Sequence, residues 1–446
     1  MTKRNVFFSG ALQIAVEILS KTSLPKDVGS PLLVRDISGR LSFALNVNRS
    51  DYGDTISDLQ RQITGLGAFA GSPGVLCADD FFEPEIIFRD PSIVRFVVPG
   101  TELAVDLLER QITGHEWLLN HKEPGGREAS LRVVPHLVFF GLKGGVGRST
   151  ALVLLAYQLA KVGKRVLLVD LDLESPGLSG LLMPPEKLAD FGIVDWLVED
   201  AVGQGSDVCE RMISVSPLSD GTRGEIRIAA AVGRDDLYYL DKLSRAYAEV
   251  SESSRVSRFS HRIQRLVETL RAREKPDVVL IDSRAGLHDL AGLSIVGLAT
   301  AAFLFATDTP QGWQGYRALF SHWQCRPRIA RSVRERLKIV SAIFPESDQV
   351  ARAKAFLEHS YTMFSETLYD EIPPGAAELG VPDELFNFDI SDSAAPHYPL
   401  RVRWNGRFQE FDPLQIPKGL FNEDEIRAAY GDFLDGAMQH LEDVRQ

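Results

Sequence analysis

Lys143-Gly144-Gly145-Val146-Gly147-Arg148-Ser149-Thr150 is the stretch whose chemistry decides the fold. His136–Gly141 before it is a short apolar run, and Thr150–Lys161 after it is spaced as an apolar helix. A triphosphate needs many backbone N–H donors converging on it, and glycines let the chain bend that closely. The helix that starts here adds the positive end of its dipole. Ser149 follows a cation and is placed to ligate Mg²⁺ through its hydroxyl, while Arg148 sets positive charge against the β- and γ-phosphates. A glycine-rich turn alone is common. Strand, glycines, cation, hydroxyl and helix in this order select a phosphate site.

Two acidic strand ends lie downstream. Val166–Asp170 continues through Leu171 to Asp172, so two carboxylates sit at i and i+2, on one side of a strand. The bland alternative is a solvated strand end before the turn Glu174-Ser-Pro-Gly. Asp277-Val-Val-Leu-Ile-Asp282 repeats the design and delivers Asp282 to the same edge, where open α/β sheets bind ligands. Asp282 suits the water shell of Mg²⁺, which prefers oxygen ligands. Gly286 lets a backbone N–H approach the γ-phosphate, so that the loop can sense hydrolysis.

Around these motifs strand and helix alternate. Arg165–Asp170, Asp277–Asp282, Ala301–Thr307 and Lys338–Phe344 are apolar strands; Phe259–Ala272 and Asp424–Val444 are helices. The pattern predicts an α/β domain over residues 131–446, with a mostly parallel sheet covered by helices on both faces. Residues 1–130 read as a smaller α+β domain, an adaptor or regulator. In it Leu32–Arg35 and Leu41–Asn46 form a hairpin, and Ile56–Ile63 and Leu103–Leu119 are spaced helically. The polar stretch Asn120–Glu128, with Pro-Gly-Gly, is the candidate linker.

At 446 residues the chain is long enough for two cores. Its formal charge of -12 works against wholesale nucleic-acid binding. Three scattered cysteines, with no CxxC pair, exclude a disulfide framework and a cysteine-bridged cluster on one chain. With no apolar leader and no run of about 18 apolar residues, the expectation is a cytoplasmic protein without a membrane span.

Lys143–Thr150, Asp170-Leu-Asp172 and Asp282–Gly286 together resemble the phosphate loop, the second acidic motif and the Walker B and switch region of the ParA/MinD-type deviant Walker A P-loop ATPases. The resemblance covers roughly Pro135 to Phe344. It implies ATP and Mg²⁺ as ligands, a slow ATPase, and a homodimer in the ATP state that acts on a partner protein or nucleic acid. By it, Lys143 is the signature lysine that reaches across the dimer to the partner chain's phosphates. Gly144, Gly145, Val146, Gly147, Arg148, Ser149 and Thr150 bind the nucleotide, with Thr150 at the α-phosphate. Asp172 positions the attacking water. Ser149, Asp170 and Asp282 serve the metal.

Two departures stand out. Arg148 replaces the family's usual lysine, and a guanidinium binds phosphate as a fork rather than as a point charge. Arg284 and Ala285 stand where the family commonly has prolines; Arg284 is placed either to touch phosphate or a partner chain, or to be a plain surface arginine. The Arg148 departure motivates an alternative function, an ATP-binding assembly scaffold with little hydrolysis. A small-molecule ligase on the same fold is a third. Arg255, Arg258, Arg262 and Arg265, at helical spacing, and the cation-dense Arg326–Lys338 are candidates for non-specific contact with DNA phosphates; the alternative for both is a solvated helix face.

Overall fold

A computed structural model describes residues 6–25, 28–118, 134–234, 236–252, 255–372, 385–409, 411–415 and 422–443. The chain divides into two compact units. The first is Met1–Glu123 with Phe320–Ser332, and the second is Pro124–Leu319 with Val333–Gln446. The candidate linker Asn120–Glu128 lies outside the described residues.

In the first unit, β1 (Leu32–Arg35), β2 (Leu41–Leu45), β3 (Ala70–Cys77), β4 (Val94–Val97) and β5 (Ala104–Glu109) form a mixed sheet in the order β3-β2-β1-β5-β4. The expected β1–β2 hairpin is antiparallel, with Leu32 opposite Ala44. The helical spacing over Ile56–Ile63 is realised as the helix Gly53–Ile63, which buries Ile56, Leu59 and Ile63. The expectation of a helix over Leu103–Leu119 is overturned. Residues 104–109 are β5, held between β1 and β4, and Glu116–Leu118 is a short 3-10 turn. Apolar residues in a short run serve either period, and here two waiting strand edges decide it. Gly114, at φ 89°, also takes a backbone conformation that no right-handed helix continues.

The second unit is built on β6 (His136–Gly141), β7 (Arg165–Leu171), β8 (Ile213–Val215), β9 (Glu225–Ala229), β12 (Val278–Ser283), β13 (Ala301–Ala306), β14 (Leu337–Phe344) and β15 (Leu400–Arg403). The strands β10 (Val250–Glu252) and β11 (Arg255–Ser257) make a separate hairpin. The eight run in the order β15-β14-β13-β6-β12-β7-β9-β8, and among these pairings only β8–β9 is antiparallel. Every residue of β6, β12 and β13 is buried, which requires cover on both sheet faces. This is the mostly parallel, helix-covered sheet of a P-loop nucleotide-binding fold.

One face of this sheet packs on the helices Arg148–Lys161 and Glu423–Asp443. Phe433 of the second helix is fully buried and meets the rings of Phe139, Phe303 and Phe305 at centroid distances of 6.0, 5.4 and 5.7 Å. Phe433→Ala opens a cavity behind β6 and β13 and is expected to cost about 3–5 kcal/mol. A urea titration of the variant checks this, and an unchanged midpoint would refute the packing role.

The two cationic runs do not form continuous surfaces. Arg255 lies in β11 and Arg258 caps the following helix, so the four arginines at 255–265 do not share one helix. Arg262 is fully buried, with Nε on Asp200 at 3.0 Å and other nitrogens on the carbonyls of Leu197 and Ala248. Arg265 shares Asp200 at 2.6 Å. In the second run Arg334 is buried on Asp370 at 2.7 Å and Lys338 is buried on the carbonyls of Ser393 and Ala395, while Arg328 and Arg331 are exposed. A buried guanidinium must be paired where it sits, and spacing in sequence does not reveal which ones are.

Candidate nucleotide site at the strand ends

Gly147, at φ 80°, caps the helix Arg148–Lys161 in a left-handed conformation that a side chain would strain. Gly141, at the end of β6, is closely packed: a Cβ there would sit 3.2–3.3 Å from Val146, Arg148 and the Phe305 carbonyl, so those neighbours would have to give way. Together they fold residues 142–147 back over the strand end. Gly144 and Gly145 face open space.

Parallel pairing puts Asp282 of β12 in register with Asp170 of β7, and with Phe139 of β6. Asp282 is 2% exposed. Its Oδ2 accepts the Ser149 hydroxyl at 2.6 Å, and its Oδ1 is buried without a hydrogen-bond partner among the described residues. Burial pushes the Asp282 carboxyl up to about 6; Arg148 and the Ser149 hydroxyl pull the other way, and Asp172 adds to the rise.

Asp170 is fully buried, and burial first, then the charge of Asp282, raises its carboxyl well above the ordinary range. Both its oxygens accept backbone N–H groups, from Asp172 at 3.2 Å and Leu178 at 3.3 Å. Asp170 thus shapes the turn that carries Asp172. Asp172 stands 3.5 Å from Nη2 of Arg148, an ion pair with side chains 7% and 13% exposed. Burial raises its carboxyl too, against the pull of Arg148. The other terminal nitrogen of Arg148 is buried with no partner among the described residues.

Ser149, Arg148, Asp170, Asp172 and Asp282 are therefore brought together. Lys143 is exposed and gives its ammonium to Gln311 at 2.7 Å. Thr150 shares a hydrogen bond with the Tyr430 hydroxyl. Gly286, expected to offer its N–H to a phosphate, instead donates it to the Gly141 carbonyl at 3.1 Å. That bond ties the loop after β12 to the end of β6 in this state.

Arg284 lies in the loop after β12, close enough for its charge to act on Asp172. It pairs with Glu174, which also receives the Tyr247 hydroxyl. Glu174 thus couples the turn after β7 to the loop after β12. Its sequence signal is only one more acid at i+2 from Asp172, in a segment that reads as a turn. Gln311, Tyr247 and Tyr430 carry no local signal, since each reaches the site from a distant element.

The donor set fits a magnesium-bound polyphosphate. A hydroxyl and an orphaned buried carboxylate oxygen are hard oxygen ligands, and the unpaired Arg148 nitrogen is an anion donor. Residues 137–300 match the family described as the CobQ/CobB/MinD/ParA nucleotide binding domain. Among solved structures, the chain is similar to a ParA family ATPase from Chlorobium tepidum TLS (12% identity, 70% of this chain and 97% of that one, TM-score 0.36). It is similar to a plasmid partition protein from Borrelia burgdorferi (16% identity, 68% and 98%, TM-score 0.39). A third is cobyrinic acid a,c-diamide synthase from Mycobacterium smegmatis with bound ATP analogue and magnesium (19% identity, 51% and 81%, TM-score 0.35). No curated protein matches the chain. Among the described residues no helix is long and apolar enough to cross a membrane. With its glycine loop, its hydroxyl–carboxylate pair and its second acidic strand end assembled at one sheet edge, the stretch 137–300 is similar to the CobQ/CobB/MinD/ParA nucleotide binding domain.

Proposed function

We propose that this chain binds ATP with Mg²⁺, hydrolyses it slowly, and uses the cycle to switch between a monomer and a dimer that acts on a partner protein or nucleic acid. The observation that carries the proposal is Asp282, almost fully buried, with one oxygen on Ser149 and the other unsatisfied among the described residues. A buried carboxylate with an open oxygen is costly to keep unless a ligand completes it.

In this scheme Ser149 and Asp282 hold the metal and its water, and Asp170 fixes the turn between them and Asp172. A bound Mg²⁺ would polarise phosphoryl oxygens and offset their charge. Arg148 binds the phosphates, and Asp172 orients a water for attack, since phosphoryl transfer asks the protein mainly for positioning and charge. Lys143, exposed at the loop tip, reaches a second copy. The nucleoside end fits a cavity of about 320 Å³ lined by Phe344, Glu346, Trp404 and Asn405. Ala429 lines that cavity too, and its chain neighbour Tyr430 touches Thr150 at the loop.

Light scattering with and without Mg-ATP, alongside phosphate release, tests the proposal. The expected result is a doubled mass with nucleotide and slow turnover; an unchanged monomer that binds no nucleotide would overturn it. A second reading, a scaffold that binds ATP and barely hydrolyses it, is favoured by the Arg148–Asp172 pair, which ties the acid meant for water to the cation meant for phosphate. Single-turnover hydrolysis set against binding affinity separates the two.

The position of Asp282 also predicts a pH dependence. Its folded value lies above the ordinary carboxylate value of about 4. The protonated form therefore favours the metal-free fold; that contribution is complete below about pH 4 and is lost as pH rises through about 6. Metal needs the ionised form. Mg-dependent nucleotide affinity is expected to fall as pH drops from 7.5 through 6, by about tenfold per unit below it. Calorimetric titration at several pH values checks this, and a flat profile would remove Asp282 from the metal site.

A further inference from the structure

The first unit contains a cavity of about 370 Å³ that the nucleotide reading does not use. Arg35, Glu109 and Arg326 stand in its wall, with the rings of Phe8 and Phe96 beside them. Arg35 ends β1 and Glu109 ends β5, in register on neighbouring parallel strands. Arg326 and Arg35 approach the same oxygen, Glu109 Oε1, at 3.6 and 3.5 Å. Both contacts are too long for strong hydrogen bonds. The Nε atoms of both arginines are buried without a hydrogen-bond partner among the described residues. Arg35 is 9% and Arg326 6% exposed.

Two guanidiniums on one carboxylate leave one positive charge in excess, out of water, with donors unused. A buried charge without its counter-charge is strongly unfavourable. Burial lowers the affinity of both guanidiniums for their protons, with Glu109 opposing. His322 supplies no counter-charge. Burial holds it neutral, its pKa lowered to about 3, and Arg326 meets its ring nitrogen at 3.3 Å and donates to its carbonyl at 2.9 Å. The helix Phe8–Lys21 places its first-turn residues Phe8 and Ser9, and Leu12 after them, in the same wall, with no acid in the first turn and no side-chain cap. Its dipole adds to the positive potential.

We propose that this cavity is a binding site for a small organic anion, with a carboxylate or phosphomonoester head between Arg35 and Arg326 and an apolar or aromatic body against Phe8 and Phe96. The guanidinium fork matches both heads in two-point contact. The body side is apolar: Phe8 is 53% exposed at the mouth, and Leu12, Val98 and Pro99 line the rest. Arg35 lies 4.6 Å from the Phe8 ring centroid and Arg326 5.7 Å from that of Phe96, so the rings hold the forks in place. The site is independent of ATP hydrolysis and makes the first unit a sensor of a second ligand.

Calorimetric titration of the full chain with phenyl phosphate and with phenylacetate tests this, the two arms distinguishing the head group. At least one is expected to bind saturably. Arg326→Gln removes one charged donor and should weaken binding by about 10- to 100-fold. Glu109→Gln removes the competing carboxylate and should tighten it. Thermal unfolding reports whether each variant folds. Should Arg326→Gln fail to fold, Glu109→Gln decides alone: tighter binding supports the site, and equal or weaker binding overturns it. Absence of saturable binding by both the wild type and Glu109→Gln overturns it, as does binding that Arg326→Gln leaves unchanged.

Discussion

Lys143→Ala is expected to abolish the ATP-dependent rise in mass and to lower phosphate release by about a thousandfold or more, the worth of a cation delivered to the transferred phosphoryl group by a second chain. Within its own chain Lys143 makes an exposed contact with Gln311, so the substitution should cost little stability. The loss would therefore be one of assembly and charge, not of folding. Gln311→Ala is the matching control: it frees Lys143 and should leave the dimer intact. Light scattering and phosphate release on both variants give the answer. A Lys143→Ala protein that still dimerises with ATP and turns over normally would refute the role in trans.

Asp172→Asn is expected to retain nucleotide binding and to slow hydrolysis by about 10²- to 10⁴-fold, the usual worth of a positioned base. Asparagine is preferred to alanine for a physical reason. Arg148 is 7% exposed beside Asp172, and stripping a buried cation of its partner costs about 3–5 kcal/mol. The amide of the Asp172→Asn variant keeps an oxygen for the guanidinium, so a slow rate could be assigned to chemistry and not to unfolding. Fluorescent-nucleotide titration and single-turnover phosphate release measure the two quantities separately. A wild-type rate would take Asp172 out of the hydrolytic step and favour the scaffold.

The residues around the site differ in how far the sequence reveals them. Ser149, Asp170 and Asp282 are readable because a glycine-rich turn and two acidic strand ends are local patterns, and a parallel sheet brings strand ends to one edge. The role of Arg284 is not readable, because its partner Glu174 is 110 residues away in the chain. The same holds for Arg262 and Asp200, 62 residues apart, which turn an apparent surface stripe into a buried pair. The spacing over β5 suggests a helix because a single strand's burial depends on the edges offered to it, here by β1 and β4.

From its residue order alone this chain determined the α/β alternation, the phosphate loop and the acids that face it, because each depends on spacing within one element or one turn. The tertiary structure alone decided which charges are spent. It placed Arg148 against Asp172, closed Gly286 onto Gly141, and gathered Arg35, Glu109 and Arg326 around one cavity. Charge pairing in a low-dielectric interior is set by distance and burial, and neither is written in any single stretch of sequence.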